Sequence, residues 1–480
     1  MTGLRPGLEP RQDEIAAMMA SATSFVTDFI GNLDTAPLNG LAAPGTAGPS
    51  DDVAALLAPP AEHPGEFGDL LQVFRTAAEQ SADTAGPNTF AYFPGGGLFT
   101  AALAELLACT VNRFTAASSM APGLVAMEHG VIHWFARQFG LPATAGGLIT
   151  TGASTGALSA LLTARRRLLG DAPYDNSGTV YVTTHTHLSV SKAARIAGLS
   201  PDQVRLVPVT DDLRMDADAA TRMIEADRAA GKHPFLIVAT AGTTDTGAVD
   251  PIGRLADTAR AQNMWFHVDA AYGGGFQLTA RGRAKLDGID RADSIALDPH
   301  KSMFFPYSSG VLLVRDERLL HAAHSADAPY LQDMDRGTPL PDYQDLGTEM
   351  SRGYRGLRLW LPLHLHGVAA FRAALDEKLD LAESVHRALA DLPELDVLTP
   401  DLTVINFRLR GGEEINRTLL ETIHADRRVH LTSTRIRGEY TLRLCVLNHR
   451  THRRHVDQVI SIVRDAVRTV TAATAAAGAR

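Results

Sequence analysis

Lys301 is the residue whose surroundings most favour covalent chemistry. It ends the segment Ser294-Ile-Ala-Leu-Asp-Pro-His-Lys301, in which an apolar run leads into a short polar turn, and a further apolar stretch follows. Burial of a lysine favours its neutral amine, which can attack a carbonyl carbon and form an imine. An isolated lysine of this kind is more often an exposed residue at the end of a strand. The flanking residues here favour the covalent role.

Asp269 lies in a second turn of this type, within Phe266-His-Val-Asp-Ala-Ala-Tyr272. It ends an apolar run that predicts a strand, and ligands bind at the carboxyl ends of strands in open α/β sheets. A carboxylate there can pair with a protonated ring nitrogen of a cofactor, or it can cap the next helix. Asp269 and Lys301 are separated by about one strand–helix–strand unit, which favours the first role.

A turn of small residues follows a third predicted strand, in Leu148-Ile-Thr-Thr-Gly-Ala-Ser-Thr-Gly-Ala157. Such a turn lets backbone N–H groups approach a phosphate, and the start of a helix, expected near Thr155, adds positive partial charge. Ser154 is expected to be an N-cap, a phosphate ligand or both. Neither a P-loop nor a G-x-G-x-x-G motif is present here, which argues against nucleotide and NAD binding.

Histidines are the remaining polar candidates. His187 follows a predicted strand, where its ring could stack on a flat cofactor or serve as a structural hydrogen-bond partner. His185 lies nearby, but no further metal ligands accompany the pair. Three more histidines alternate with arginines in a segment that we interpret as a solvated basic turn, since adjacent cations oppose a divalent ion; they are His449, His452 and His455. No metal site is predicted.

These residues lie at the ends of short apolar runs that alternate with helical segments. The expected strands are Gly147–Thr150, Thr179–Thr183, Val204–Val209, Phe235–Ala239, Trp265–Asp269, Ile295–Leu297 and Gly310–Val314. The helical stretches between them include Gly156–Leu168, Ala217–Ala230 and Ile252–Gln262. Apolar strands that alternate with helices predict an α/β fold whose mostly parallel sheet is covered on both faces.

The same pattern divides the chain into three parts. Residues 1–85 are helix-like around a connector at 41–51, residues 86–365 carry the alternating strands and helices, and residues 366–480 predict a small α+β domain. The elements expected in the last part are a helix Glu377–Ala390, a strand Thr403–Leu409, a helix Ile415–Ile423, a hairpin His430–Val446 and a helix His452–Val470. The tail after residue 470 is expected to fray.

The composition limits the classes of protein that fit. The 480 residues are 45% hydrophobic and 21% charged, as in soluble globular proteins. A net charge of −9 argues against a surface for nucleic acid or anionic membranes. No apolar run is long enough to cross a bilayer, and we expect a cytoplasmic protein. Cys109 and Cys445 lie in apolar runs and are expected to be buried thiols and not a disulfide.

In this order, the motifs resemble those of the group II pyridoxal 5′-phosphate (PLP)-dependent amino-acid decarboxylases, the family of aromatic-amino-acid and glutamate decarboxylases. The motifs are His267-Val-Asp-Ala-Ala-Tyr272, Asp298-Pro-His-Lys301, Thr240-Ala-Gly-Thr-Thr244 and Phe90-Ala-Tyr-Phe-Pro94. The resemblance extends from about residue 90 to residue 462. It implies the fold type I of PLP-dependent transferase-like enzymes: a large domain with a mostly parallel seven-stranded sheet, a small C-terminal α+β domain, and an N-terminal segment that packs in a homodimer with shared active sites.

The resemblance assigns four residues to the ring and aldehyde of the cofactor. Lys301 would form a Schiff base with PLP, and Asp269 would pair with the pyridine nitrogen. His187 would stack on the ring, and Ala271 would pack against it.

It assigns further residues to the phosphate and to the reaction. Ala153, Ser154 and His300 would surround the phosphate. Thr244 would lie near the cofactor or the substrate carboxylate. Tyr343 matches the catalytic tyrosine of a mobile loop, where an exposed loop aromatic is the alternative.

The resemblance also implies a substrate pocket, with Tyr92, Phe93, Gly95, Phe114 and Ala116 in its wall. Gly95 begins a run of three glycines in place of bulkier residues, and Ala116 stands where the aromatic enzymes often have an aromatic side chain. Both differences predict a larger pocket, and a tight backbone turn is the alternative for the glycines.

Asp298 is a departure of a different kind, because the family often has asparagine at this position. A carboxylate would repel the phosphate unless it turned away. Asp298 is therefore not expected to be a phosphate ligand.

The expected activity is the decarboxylation of an L-amino acid or an amino-acid conjugate to an amine and CO2. Two alternatives use the same cofactor: O2-dependent oxidative deamination to an aldehyde, and β-elimination by a C–S lyase acting on a cysteine conjugate in biosynthesis. His187 and Tyr343 together favour plain decarboxylation. A cofactor-free interaction protein on the same fold is a further alternative, against which Lys301, Asp269 and His187 argue.

Overall fold

The computed structural model describes residues 8–36, 56–170, 177–326 and 339–478. The connector expected at residues 41–51 lies outside this part of the chain. The structure of the described residues is built around two sheets.

The larger sheet has seven strands. They are β1 (Gly146–Thr150), β2 (Gly178–Val182), β3 (Val204–Leu206), β4 (His233–Thr240), β5 (Trp265–Ala270), β6 (Ser294–Leu297) and β7 (Gly310–Val314). Their order across the sheet is β1-β7-β6-β5-β4-β2-β3. β7 runs antiparallel to β1 and β6, and the other neighbouring pairs are parallel. The α/β fold with a mostly parallel sheet is thus confirmed.

Register brings the ends of the central strands level with one another. Thr240 of β4 pairs with Asp269 of β5, and Asp269 pairs with Ala296 of β6. The loops that follow these strands therefore leave the sheet at the same edge, as parallel pairing requires.

Helices pack on the large sheet and complete the large domain. They are Phe99–Val111, Pro122–Gln138, Ala153–Leu169, Leu188–Ile196, Ala217–Ala229, Ile252–Ala261, Ala280–Lys285, Pro299–Ser302, Glu317–His324 and Gly356–His366. The helix Ala153–Leu169 packs closely because its buried face consists mostly of small residues. A Cβ atom at Gly156, for example, would lie 3.4 Å from the Cβ of Ala296.

The smaller sheet is antiparallel and belongs to the C-terminal part of the chain. Its strands are β8 (Leu395–Val397), β9 (Val404–Leu409), β10 (Thr432–Ile436) and β11 (Glu439–Cys445), in the order β10-β11-β9-β8. The helices beside it are Val368–Ala390, Glu413–Ala425 and Arg453–Gly478. The sequence pattern missed β8, which has only three residues, and the last helix continues to Gly478 where fraying was expected.

The helix Val368–Ala390 joins the two hydrophobic cores. Phe371 and Leu375 pack in the core of the large domain, whereas Leu381 and Val385 pack in the core of the small sheet. Because this helix contributes to both cores, the structure does not mark the domain boundary at one residue. The boundary expected at residue 366 stays a prediction.

Two N-terminal helices, Gln12–Asn32 and Phe67–Glu79, bury none of their side chains in the single chain. They contact each other through Phe25 and Phe74, whose ring centres are 5.6 Å apart. Their apolar faces are otherwise largely open to solvent.

The two cysteines differ in their surroundings. Cys445 is buried as expected, but Cys109 is exposed, so the expectation that it is a core thiol is wrong. Cys109 lies on the helix Phe99–Val111, whose apolar residues point outward as well as inward, and a run of apolar letters does not distinguish the two faces. Within the described ranges, no helix is long and apolar enough to span a membrane.

Candidate functional site

The main candidate residues follow strands that end at one edge of the large sheet. Asp269 lies at the end of β5, and Lys301 lies in the short helix after β6. His187 is the N-cap of the helix after β2, and Ala153 is the first residue of the helix after β1. Ligands of open α/β sheets bind at this edge, outside the carboxyl ends of the strands.

Lys301 is half-buried between a carboxylate and an aromatic ring. Its Nζ lies 3.1 Å from Oδ2 of Asp298 and 5.4 Å from the centre of the Phe93 ring. Phe93 in turn packs against Tyr272, with ring centres 4.5 Å apart. The amine is therefore held at the wall of a largely apolar recess and does not extend into bulk solvent.

Asp269 is 7% exposed and lies at the end of β5, and its pairing with a ring nitrogen stays a prediction. Its Oδ1 accepts a hydrogen bond of 3.1 Å from Ala271 N, which caps the turn after β5. This bond orients the carboxyl group at the edge of the sheet and engages one of its two oxygens. A buried carboxylate of this kind can hold a proton on a ring nitrogen.

Three alanines form a small apolar cluster that is separate from both cores: Ala153, Ala271 and Ala296. They come from three different segments that meet beside Asp269 and Lys301. Alanine side chains leave a shallow, flat surface that suits a planar ring. The sequence pattern did not single out Ala296, because nothing in a strand distinguishes an alanine that faces a site from one that fills a core.

The helix that follows β1 begins two residues earlier than expected. Its N-cap is Gly152, and no side chain caps it, so the expectation that Ser154 is the N-cap is wrong. Ser154 is exposed, and its role as a phosphate ligand stays a prediction. A Cβ at Gly310 would lie 2.5 Å from the Cα of Gly152, so the turn before β7 closes tightly on this helix start.

His187 is held by the first turn of its own helix. Its Nδ1 accepts a hydrogen bond of 3.3 Å from Ser189 N and lies 2.8 Å from Ser189 Oγ. Burial has the largest effect on the pKa of His187 and lowers it. The charge of Asp269 raises this pKa and the charge of Lys301 lowers it, and the net result is a pKa below the ordinary value of histidine. Because Nδ1 accepts a hydrogen bond from a backbone N–H, the proton of the neutral ring lies on Nε2.

The other expected residues have separate partners. Nδ1 of His185 lies 3.6 Å from Oδ2 of Asp245, and the closeness of His185 is the main cause that lowers the pKa of Asp245. Nδ1 of His300 donates to Ser309 O at 2.9 Å, and burial lowers the pKa of His300. Thr244 is exposed, and its carbonyl accepts a hydrogen bond from Arg443.

Arg443 is a candidate that the sequence pattern missed. It lies on β11 of the small sheet, is 4% exposed, and donates to Thr244 O at 2.9 Å and to Tyr92 O at 2.7 Å. Its guanidinium carbon lies 4.6 Å from the centre of the Phe93 ring, on which the Lys301 amine also lies. Nη2 is buried and has no hydrogen-bond partner among the described residues. A buried donor of this kind is suited to bind a carboxylate.

Tyr343 does not lie on an exposed loop. It is 1% exposed, begins a short 3-10 turn, and has Arg352 stacked 4.2 Å from its ring centre. Arg352 forms a buried ion pair of 2.7 Å with Glu128, and burial raises the pKa of Tyr343. The alternative of an exposed loop aromatic is therefore wrong for this position, and the assignment to a mobile loop stays a prediction. Its role as a catalytic acid stays a prediction, which this setting does not favour.

The glycine run fits the tight turn that was the alternative to a larger pocket. A Cβ at Gly95 would lie 2.4 Å from the carbonyl oxygen of His300. Gly96 has a φ of +80°, and a Cβ there would lie 2.3 Å from Oδ1 of Asn448. The close approach of neighbouring chain segments therefore explains these glycines without a larger pocket.

The basic turn at residues 449–455 is not fully solvated, contrary to the expectation. His449 packs against Phe304 at 5.7 Å between ring centres, and burial lowers its pKa to about 3. His455 is buried and lies 2.7 Å from Asp34. Arg450 donates to the carbonyls of the glycine run, so this turn holds the loop that carries Phe93.

The remaining pocket candidates are less clearly placed at the site. Tyr92 is 68% exposed and has a φ of 53°, a strained value for a residue other than glycine. Ala116 is fully buried, and its carbonyl accepts a hydrogen bond from Gln344 N. Phe114 is half-buried. Their place in the substrate pocket stays a prediction.

Taken together, these residues match the chemical requirements of PLP. An amine can bind an aldehyde, a carboxylate can pair with a pyridine nitrogen, an imidazole and an alanine surface can enclose a flat ring, and a helix start can bind a phosphate.

Comparison with known proteins agrees with this geometry. Residues 52–410 match the model of the pyridoxal-dependent decarboxylase conserved domain. An aromatic-L-amino-acid decarboxylase from Bacillus atrophaeus is 33% identical over 400 residues, which is 81% of this chain and 83% of that protein. A tryptophan decarboxylase from Camptotheca acuminata is also 33% identical over 400 residues, with 79% and 80% covered.

Solved structures agree as well. The crystal structure of Oryza sativa TDC with PLP and tryptamine superposes with a TM-score of 0.89 at 27% identity, over 96% of this chain and 99% of that one. Rhodiola rosea 4-hydroxyphenylacetaldehyde synthase superposes with a TM-score of 0.86 at 23% identity, over 96% and 99% of the two chains. At that identity, the second match shows a shared fold alone.

Proposed function

Since the chain belongs to the pyridoxal-dependent decarboxylase family, we propose that it decarboxylates an aromatic L-amino acid with PLP attached to Lys301 as a Schiff base. The observation that carries the proposal is the meeting of Lys301, Asp269 and His187 at one edge of the sheet, beside the alanine cluster. Named relatives that act on aromatic amino acids support the choice of substrate class.

Bound PLP supplies an electron sink for the bond that breaks at the substrate Cα. In this proposal, Asp269 holds the proton on the ring nitrogen that makes the sink effective. His187 would stack on the ring and present Nε2–H. Ala271 would pack against the ring, and Phe93, which lies beside the amine of Lys301, would shield that amine from water.

Arg443 supports an amino-acid substrate in particular. Its Nη2 is a buried donor without a partner among the described residues, beside the ring of Phe93 that also contacts Lys301. A substrate carboxylate would satisfy this donor and would be oriented relative to the cofactor plane. Buried donors left unpaired cost free energy, so the arrangement favours an anionic ligand.

The direct test is an assay of the purified protein with PLP on a panel of amino acids, in air and without oxygen. We expect an aromatic L-amino acid to give CO2 and the corresponding amine in equal amounts, at the same rate in both atmospheres. Products are measured by mass spectrometry, together with aldehyde, ammonia, peroxide and free thiol. Equal amounts of aldehyde and ammonia formed only in air would contradict the proposal and assign oxidative deamination. Thiol release from a cysteine conjugate would assign β-elimination.

We also propose that the active form is a homodimer. The helices Gln12–Asn32 and Phe67–Glu79 bury no side chain in the single chain, and Phe74 is 58% exposed. The helix Phe99–Val111 exposes a further apolar row that includes Leu107 at 47%. Contiguous apolar surface of this kind marks an interaction site in soluble proteins.

Sedimentation velocity tests the dimer. We expect the wild-type protein to sediment at twice the chain mass of 51.3 kDa, and the variants Phe74→Asp and Leu107→Asp to shift toward the monomer because they place a charge in the interface. The control is Thr418→Asp, which adds the same charge at an exposed position of the helix Glu413–Ala425. A wild-type protein that is monomeric at micromolar concentration and fully active would refute the dimer.

A further inference from the structure

Asp298 contacts two groups that the cofactor needs. Its Oδ1 accepts a hydrogen bond of 2.7 Å from Ala153 N, at the start of the helix after β1. Its Oδ2 lies 3.1 Å from Nζ of Lys301. The carboxylate is 5% exposed, so both contacts are shielded from water.

The backbone holds this carboxylate in place. Asp298 N donates to Ala271 O at 3.2 Å, and Lys301 N donates to Asp298 O at 2.8 Å. Asp298 also precedes Pro299, which begins the short helix that carries Lys301. The same residue therefore touches the turn after Asp269, the helix start and the reactive lysine.

Among the described residues, Lys301 is the cationic side chain in contact with the carboxylate of Asp298. His300 has its Nε2 3.6 Å from Asp298 Oδ2, but burial lowers the pKa of His300 and its Nδ1 already donates to Ser309 O. Lys301 is thus the cation that offsets Asp298. A phosphate bound at the same helix start would bring further negative charge beside this carboxylate.

We propose that Asp298 weakens cofactor binding, because its carboxylate occupies the helix start that receives the PLP phosphate and pairs with the lysine that receives the PLP aldehyde. An uncharged residue of the same shape would remove the repulsion and keep the hydrogen bond from Ala153. The inference rests on the cofactor site of the proposed function and assigns to Asp298 control over how tightly that site binds PLP.

The test is equilibrium binding of PLP and of pyridoxal, which lacks the phosphate, to the full-length chain freed of cofactor. We expect Asp298→Asn to bind PLP about tenfold more tightly, which corresponds to about 1.4 kcal/mol. The affinity for pyridoxal should change less, because pyridoxal has no phosphate and is affected only by the altered pairing of Lys301. The ratio of the two changes isolates the interaction between the carboxylate and the phosphate.

Two further variants complete the experiment. Asp298→Ser keeps a hydroxyl acceptor for Ala153 N without a charge, and should also favour PLP over pyridoxal if the asparagine variant does not fold. Asp316→Asn is the matched control, because Asp316 accepts a hydrogen bond from Arg318 N at the start of the helix Glu317–His324, away from the site. It should leave both affinities unchanged.

The possible results distinguish an error in the role of Asp298 from an error in the proposed cofactor site. Equal changes for PLP and pyridoxal, or weaker PLP binding in both Asp298 variants, would overturn the role of Asp298 while PLP still binds the wild-type protein. A wild-type chain that binds neither compound would overturn the site itself.

Discussion

Replacement of Lys301 by alanine should abolish turnover, with a fall in kcat/KM on the order of 10⁴-fold or more. The amine is the nucleophile among the site residues, it is half-buried, and its Nζ is oriented by Asp298 at 3.1 Å. The variant should also lose the yellow adduct that borohydride reduces in the wild-type protein. Product formation and the mass of the reduced peptide around residue 301 measure the two effects separately.

A matched control is Lys192→Ala, since Lys192 is an exposed lysine on the helix Leu188–Ile196 that follows His187. It removes the same charge near the site without touching the recess, and should keep both the activity and the adduct. A borohydride-stable adduct on a different lysine, or appreciable turnover by Lys301→Ala, would show that the attachment point has been assigned wrongly.

Replacement of Asp269 by alanine should lower kcat/KM by about 10²- to 10⁴-fold while PLP can still be attached. Loss of one member of a buried charge pair costs about 3–5 kcal/mol, which corresponds to that range of rate. The carboxyl group is 7% exposed and is oriented by the hydrogen bond from Ala271 N, so water replaces it poorly. Stopped-flow measurement of CO2 release under single-turnover conditions separates this effect from cofactor loss.

Asp269→Asn refines the experiment, because it keeps the size of the side chain and can keep the bond from Ala271 N but removes the charge. It should be impaired nearly as much as the alanine variant if charge is the important property. Asp257→Ala removes a carboxylate from an exposed ion pair with Arg291 and serves as the control, with activity close to wild type. Near-normal turnover in Asp269→Asn would contradict the proposed pairing with the ring nitrogen.

Local patterns in the sequence predicted the large sheet well. All seven expected strands are present, because continuous apolar runs bounded by turn residues leave little choice except buried strands. The same patterns placed Asp269 at the end of a strand and Lys301 in the short polar turn that follows the next strand. The three-residue β8 and the start of the helix at Ala153 were missed, because capping and short pairings depend on a few hydrogen bonds and not on periodicity.

The residues that meet across the chain could not be predicted in this way. Arg443 reaches the site from β11 of the small sheet, more than 140 residues after Lys301. The sequence around Tyr343 also fits an exposed aromatic, whereas in the structure its ring is buried beside an ion pair between distant segments, Glu128 and Arg352. Cys109 shows the reverse error, since an apolar helix can present one face to solvent.

The sequence alone therefore determined the α/β class, the order of the strands along the chain and the two residues proposed for the cofactor chemistry, Lys301 and Asp269. Only the tertiary structure decided which groups surround them: the alanine cluster, the free donor of Arg443 and the carboxylate of Asp298 at the helix start. The physical reason is that strands and turns follow from neighbouring residues, whereas the charge and shape of a site arise from contacts between segments that folding brings together.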